Sequence, residues 1–190
     1  MTRHINLGDS CIDSFPVYEA DNYTKKSGET VFTARFWCDG VVAAPTYTIA
    51  EIGTSGEYKL TFLPTLTGFW LAEVLVNYNK ETWKTEAEVE PIDAQFGLTG
   101  ADDALNLVIG IWAEHGGRRL TDVTSIAAVI RTTAGVLVVN LGTCILPTAQ
   151  GLFAFTTPAS GIVQETAYIL DLTMIRNGVT CYANVGFAKA

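Results

Sequence analysis

Apolar and polar residues alternate along most of this chain, and a period of two is the mark of a strand with one face in a core. In residues 57–63, Tyr58, Leu60 and Phe62 share one face while Glu57, Lys59 and Thr61 share the other. Residues 31–38 align Phe32, Ala34, Phe36 and Cys38, and residues 70–78 align Trp70, Ala72, Val74, Val76 and Tyr78. Residues 82–90 set Trp83, Thr85, Ala87 and Val89 against Lys84, Glu86, Glu88 and Glu90. The second half repeats the pattern with Leu105, Leu107, Ile109 and Ile111, then Tyr168, Leu170, Leu172 and Met174, then Val179, Cys181, Ala183, Val185 and Phe187. Asn177-Gly178 is the strongest hairpin signal between runs, because a two-residue type I′ turn needs positive φ at both positions. Asp39-Gly40, Thr54-Ser55-Gly56, Gly116-Gly117 and Ala134-Gly135 are weaker signals of the same kind. Helical periodicity is nearly absent, and only residues 98–105 are predicted to make a short helical turn. Many short strands with regular turns predict antiparallel sandwiches rather than βαβ units.

An internal repeat divides the chain. GEYKLTFLP at 56–64 and GLFAFTTP at 151–158 each run from a glycine through alternating apolar residues to a proline. A long hairpin follows each, over 69–90 and 166–188. Upstream, Trp37-Cys38-Asp39-Gly40 parallels Trp112-Ala113-Glu114-His115-Gly116. From Trp to the repeat glycine is 19 residues in the first unit and 39 in the second, which leaves the second unit room for one or two more strands. The reading is two tandem sandwiches, residues 1–94 with an N-terminal extension and a larger domain at 95–190.

The run GEYKLTFLPTLTGFWLAEVLV, residues 56–76, resembles the late strands of immunoglobulin-like and filamin-like modules, where a Gly-x-Tyr strand enters a proline-containing loop and then a Gly-aromatic strand. In the second unit, Arg119-Leu120-Thr121-Asp122, the strand 151–157 and the hairpin 166–188 resemble the immunoglobulin-like modules of bacteriophage virion proteins of baseplate, neck and capsid-decorating kinds. The resemblance implies an all-β fold of two tandem immunoglobulin-like antiparallel β-sandwiches and a structural role in a virion. Neither unit has the Cys…Trp…Cys spacing of antibody domains.

Of the 190 residues, 48% are hydrophobic and 17% charged, which excludes a disordered chain. A net charge of −8 offers no electrostatic footprint for nucleic acid or an anionic membrane. No apolar stretch approaches the ~18 residues of a membrane span. The opening MTRHINLGDS is polar and lacks the apolar core of a secretory signal. No nucleic-acid or membrane partner is expected. Charge is uneven: residues 1–95 carry 7 Lys/Arg and 14 Asp/Glu, residues 96–190 only 5 and 6. So few charges mean either a well-packed domain with Thr, Asn and Gly outside or a surface covered by something else.

Candidate chemistry is sparse. His4 and His115 are the only histidines, and neither stands in a context that would build a Ser-His-Asp set. Cys11, Cys38, Cys144 and Cys181 form no C-x-x-C, so no zinc site is expected. Their even number allows Cys11–Cys38 and Cys144–Cys181 disulfides. The apolar-face placement of Cys38 and Cys181, with no secretory signal, favours reduced and buried thiols. Glu86, Glu88 and Glu90, with Asp93 beyond, lie along one strand face about 7 Å apart and diverge, whereas calcium needs converging oxygens. Asp9 with Asp13, and Asp102 with Asp103, fall in loops. There is no P-loop and no G-x-G-x-x-G. No enzyme, cofactor or metal is expected.

What remains is apolar residues on the outward faces. With Trp70, Val74 and Val76 inward, Leu71 and Leu75 point out; with Leu107, Ile109 and Ile111 inward, Val108 and Trp112 point out. They pack under loops or the other domain, or they form an intermolecular patch. Arg118-Arg119, the only arginine pair, stands at the polar rim of such a patch or at an exposed hairpin tip. The candidate interface is therefore Trp112, Val108, Arg118, Arg119, Leu71 and Leu75. The expected function is a non-enzymatic structural component of a bacteriophage virion, a tail, neck or capsid-surface protein assembled in the host cytoplasm. It would work through homo-oligomeric contacts and contacts with other virion proteins. The alternative is a carbohydrate-binding or adhesion module of a cell-surface protein, with Trp37, Trp83 or Trp112 stacking on sugar rings. A hydrolase centred on His115 is the third class.

Overall fold

The alternating runs form strands in the computed structural model, which describes residues 2–77, 80–99, 104–113, 117–144, 151–158, 162 and 166–188. The chain divides into two units, Met1–Glu90 and Pro91–Ala190. Ile92, Asp93 and Ala94 lie on the second side of that division because they pair with Ala113, Trp112 and Ile111. No α-helix occurs among the described residues.

The first unit contains β1 (Arg3–Asn6), β2 (Cys11–Pro16), β3 (Phe32–Cys38), β4 (Val41–Ala43), β5 (Thr46–Glu51), β6 (Glu57–Leu63), β7 (Gly68–Val76) and β8 (Glu81–Glu90). One sheet has the order β1-β8-β7-β3-β4 and the other β2-β6-β5. This is the immunoglobulin arrangement, with the B, E and D strands in one layer and the G, F and C strands in the other. All pairings are antiparallel except β1 with β8. The inward alternation of each strand builds the core: Tyr58, Leu60 and Phe62 from β6 face Trp70, Ala72 and Val74 from β7, all buried. Phe62 lies 6.0 Å from Trp70 and 5.1 Å from Phe36, ring to ring. Phe15 stacks between Tyr58 and Trp83 at 6.0 and 5.0 Å. The long β2–β3 connection is tied down by Tyr58, whose hydroxyl accepts from Glu29 N at 2.7 Å and donates to Lys26 O at 3.3 Å. The β3–β4 turn at Asp39-Gly40 has φ of +48° and +80°, the two positive values of a type I′ turn.

The second unit contains β9 (Ile92–Thr99), β10 (Ala104–Ala113), β11 (Val123–Thr132), β12 (Leu137–Cys144), β13 (Leu152–Pro158), β14 (Ala167–Arg176) and β15 (Val179–Ala188). Its sheets are β13-β10-β9 and β12-β11-β14-β15, all antiparallel. Leu107, Ile109 and Ile111 from one sheet and Ile126, Ala128, Ile130, Leu170 and Met174 from the other are fully buried. Asn177 and Gly178 take φ of +49° and +80° and close the β14–β15 hairpin, as their sequence requires.

Three sequence expectations need correction. Residues 98–105 hold no helical turn where they are described: β9 extends to Thr99 and β10 begins at Ala104, because Asn106 pairs with Thr99 and the ladder overrides the weak local signal. Trp37 and Trp112 are not equivalent. Trp37 is on β3, which pairs with β7, whereas Trp112 is on β10, which pairs with β9 and β13. The longer Trp-to-Gly interval of the second unit adds no strand among the described residues. The two strands it holds, β11 and β12, have 10 and 8 residues, and β11 pairs with β14 as β3 pairs with β7.

The downstream repeat does correspond, since β6 and β13 each precede a long hairpin. Gly56 and Gly151, which lead into them, both sit at positive φ, +68° and +70°. A Cβ on Gly56 would meet Lys25 Cβ at 2.8 Å, and one on Gly151 would meet Leu120 O at 3.1 Å. Gly56→Ala and Gly151→Ala are each expected to lower stability by more than ~1 kcal/mol in denaturant titrations. Unchanged midpoints would show that these strands enter without a left-handed residue.

Candidate interaction surface

The six candidate interface residues fall in two separate units. Leu71 and Leu75 project from β7 on the outer face of the five-stranded sheet and are half-buried. Leu71 stands between Trp37 and Glu86, and Leu75 between Thr33 and Thr82. The Lys84–Glu73 ion pair, 3.2 Å, crosses the same face. In the second unit Val108 and Trp112 project outward from β10 and are also half-buried. Arg118 is exposed, while Arg119 turns back, its guanidinium 4.9 Å from the Trp112 ring centre. An isolated bridge pairs Trp112 with Arg119, and Leu120 N donates to Ile111 O at 2.8 Å. Gly110 lies beside this pair: a Cβ there would meet Trp112 Nε1 and Arg119 Nε at ordinary contact distances of 3.5 and 3.7 Å and Leu152 more tightly, at 3.3 Å. Arg119 thus covers part of Trp112 by cation–π contact.

Three of the carboxylates considered as metal ligands, Glu88, Glu90 and Asp13, are engaged elsewhere. His4 Nδ1 lies 2.9 Å from Glu90 Oε1 and 3.5 Å from Glu88 Oε2, a consequence of the parallel β1–β8 register that sets His4 beside Glu88. Asp13 holds Arg3 at 2.7 Å and accepts from Thr85 Oγ1 at 2.6 Å. Among the described residues, no group of three or more His, Cys, Asp and Glu side chains could hold a metal. Tyr78, His115, Asp102 and Asp103 lie outside the described residues.

The residue that the sequence reading missed is Tyr182. It is 70% exposed, near the middle of β15. The signal was present: the alternation that points Cys181 inward points Tyr182 out. Two hollows meet on this strand and share Tyr182, Ala183 and Asn184. One, of about 550 Å³, lies between β15 and β9 and is also lined by Asp93, Gln95 and Trp112. The other, of about 460 Å³, crosses the sheet face over Ala127, Val129 and Thr173 to the Arg131–Asp171 pair, 2.9 Å. Of the other tryptophans proposed as sugar platforms, Trp83 is stacked on Phe15, and Trp37 lines a hollow of about 280 Å³ with Val42, Pro45 and Tyr47.

Cys11, Cys38 and Cys181 are free and buried, and Cys144 is half-buried. Burial pushes the Cys11 thiol up to about 11, with a smaller lowering by Arg3 and a smaller further rise from Asp13. Burial also raises Cys38 and Cys181. Thiolate is the nucleophile, so iodoacetamide at pH 8 is expected to label Cys144 first and Cys11 last in the folded protein. Thiol counting in denaturant is expected to return all four. A count of zero would mean two disulfides.

No protein-family model matches the chain, and no curated protein sequence matches it. Among solved structures, the chain is similar to a tandem from titin at 12% identity and a TM-score of 0.40, covering 100% of this chain and 64% of that one. It is similar to the Yersinia pseudotuberculosis adhesin InvE at 18% identity and a TM-score of 0.34, covering 98% and 56%. Surface layer protein SbsC, domains 4–9, gives 14% identity and a TM-score of 0.34, covering 100% and 30%. The chain therefore spans between about a third and two thirds of the length of these solved chains. The immunoglobulin-like β-sandwich itself follows from the sheet order of each unit described above.

Proposed function

We propose that the chain is a non-enzymatic contact module, two tandem immunoglobulin-like domains whose second unit carries the working surface for protein partners. The observation that carries this reading is Tyr182, exposed between two hollows on a strand with no charged residue. Aromatic anchors dominate interface energetics, and free surfaces seldom leave them in water among so few charges. A virion is the setting implied by the resemblance of the second unit to phage modules. The hollow between β9 and β15 supports a second reading, carbohydrate binding or adhesion at a cell surface. Trp112 and Tyr182 would offer ring faces to a sugar there, while Asp93, Gln95 and Asn184 bond its hydroxyls.

Light scattering of the full chain across a wide concentration range, with a glycan array in parallel, tests both. A mass above the 20.5 kDa of one chain, reduced by Tyr182→Ala, supports protein contact. A persistent monomer whose glycan binding is lost in Tyr182→Ala and Trp112→Ala would replace that reading with the carbohydrate one.

A further inference from the structure

Each sheet ends in two edge strands, and an unpaired edge is a template for another strand unless something blunts it. Among the described residues, seven of the eight edges are blunted. β1 has four residues and carries Arg3, and β4 has three residues. β2 carries Asp13 and Pro16, β5 carries Glu51, β9 carries Asp93, and β13 ends in Pro158. β12 is uncharged, but its ladder with β11 is broken at two places by register shifts. β15 alone has none of these devices. It runs ten residues, VTCYANVGFA, with no charge and no proline, and pairs with β14 in an unbroken register of ten pairs. Among the described residues no strand pairs with its other side.

The first unit shows what that position is for. Its corresponding strand, β8, carries five charges and yet is covered on its outer side by β1. In the second unit β9 pairs with β10 along its whole length and comes near β15 without pairing with it, leaving between them the hollow lined by Asp93, Gln95, Tyr182 and Asn184. The main chain there is ready to bond. The two-residue turn closes on Arg176–Val179 as a hydrogen-bonded pair, and such pairs recur at every second residue. The N–H and C=O groups of Thr180, Tyr182, Asn184 and Gly186 therefore point away from β14.

We propose that β15 pairs antiparallel with β15 of a second copy of this chain, joining two four-stranded sheets into one of eight about a two-fold axis. This rests on the contact-module reading and names its partner. Charge favours a second copy at this edge. An antiparallel pairing of β15 with itself sets no like charges opposite each other, whereas β8 would set glutamate against glutamate. Residues 96–190 carry a net charge of −1 against −7 for residues 1–95, so two copies meet with least repulsion through their second units. Centred on Ala183, the pairing places Tyr182 opposite Asn184 of the copy.

The test is sedimentation of the full chain as wild type, Asn184→Pro, Tyr182→Lys and Thr173→Lys. Proline at 184 removes an outward N–H and leaves the β14 ladder intact. Tyr182→Lys would bring like charge from both copies to the new ladder, whereas Thr173 lies one strand in, on the sheet face. The expected result is a wild-type dimer, weakened at least 100-fold by both edge substitutions and kept by Thr173→Lys, with the circular dichroism of all four alike. A dimer that survives both edge changes, or that Thr173→Lys breaks instead, overturns strand pairing and leaves the contact reading standing. A wild type monomeric at every concentration overturns both.

Discussion

Trp70→Ala is expected to lower the melting temperature of the first unit by roughly 15–30 °C, the largest effect of any single substitution there. Trp70 is 0% exposed near the start of β7 and packs against Phe62. Its indole Nε1–H also donates to Leu66 O at 2.9 Å, which fixes the loop that carries Pro64 into β7. Alanine would leave a cavity the size of the indole, at a cost of about 3–5 kcal/mol, and would lose that hydrogen bond. Trp70→Phe keeps most of the volume and loses the hydrogen bond, so it should fall between the two. Scanning calorimetry of the three proteins checks the order. A shift of a degree or two for alanine would show that β7 does not anchor the core.

Removing Asp122 is expected to do comparable damage to the second unit. Arg176, 1% exposed, is held by Asp122 through Nε at 2.9 Å and Nη2 at 2.9 Å. Asp122→Ala leaves the buried guanidinium without this carboxylate, at a cost of about 3 kcal/mol, the lower end for a broken buried pair because Asp122 is itself partly exposed. Arg176→Met together with Asp122→Ala should recover much of the loss, because a buried guanidinium that has lost its carboxylate costs more than an apolar side chain of similar size. The pair also sets a pH dependence. Burial alone would raise the Asp122 carboxyl, but the hydrogen bond and charge of Arg176 outweigh it and hold the group below the ordinary aspartate value. A lowered folded value stabilises above the unfolded value, near about pH 4. That contribution is complete above roughly pH 5 and disappears as pH falls through the folded value. Denaturant titrations at pH 3 and pH 7 should therefore show a smaller effect of Asp122→Ala at pH 3.

Side-chain alternation carried most of the architecture. A period of two points Trp70 and Leu107 inward and Leu71 and Val108 outward whatever the strands pair with, so the core and the candidate outward residues were legible in advance. Turn chemistry was equally local: Asn177-Gly178 and Asp39-Gly40 adopt the positive φ values that suit them. Local signals misled where pairing decided. Residues 98–105 look like a helical turn, but Leu98 and Thr99 belong to β9 and Ala104 and Leu105 to β10. Trp37 and Trp112 share a flanking pattern, although their strands occupy different layers.

The sequence by itself determined the fold class, the inward set of each strand and the hairpin turns, because each depends on residues within a few positions of one another. Tertiary structure decided which strands are edges. That Arg119 covers Trp112, that Asp122 reaches Arg176 across 54 residues and that, among the described residues, no strand pairs with the outer side of β15 are facts of pairing between distant segments. Alternation specifies which face of a strand is buried and says nothing about which neighbour its main chain will bond, so Tyr182 could be read as outward but not as lying at an open edge.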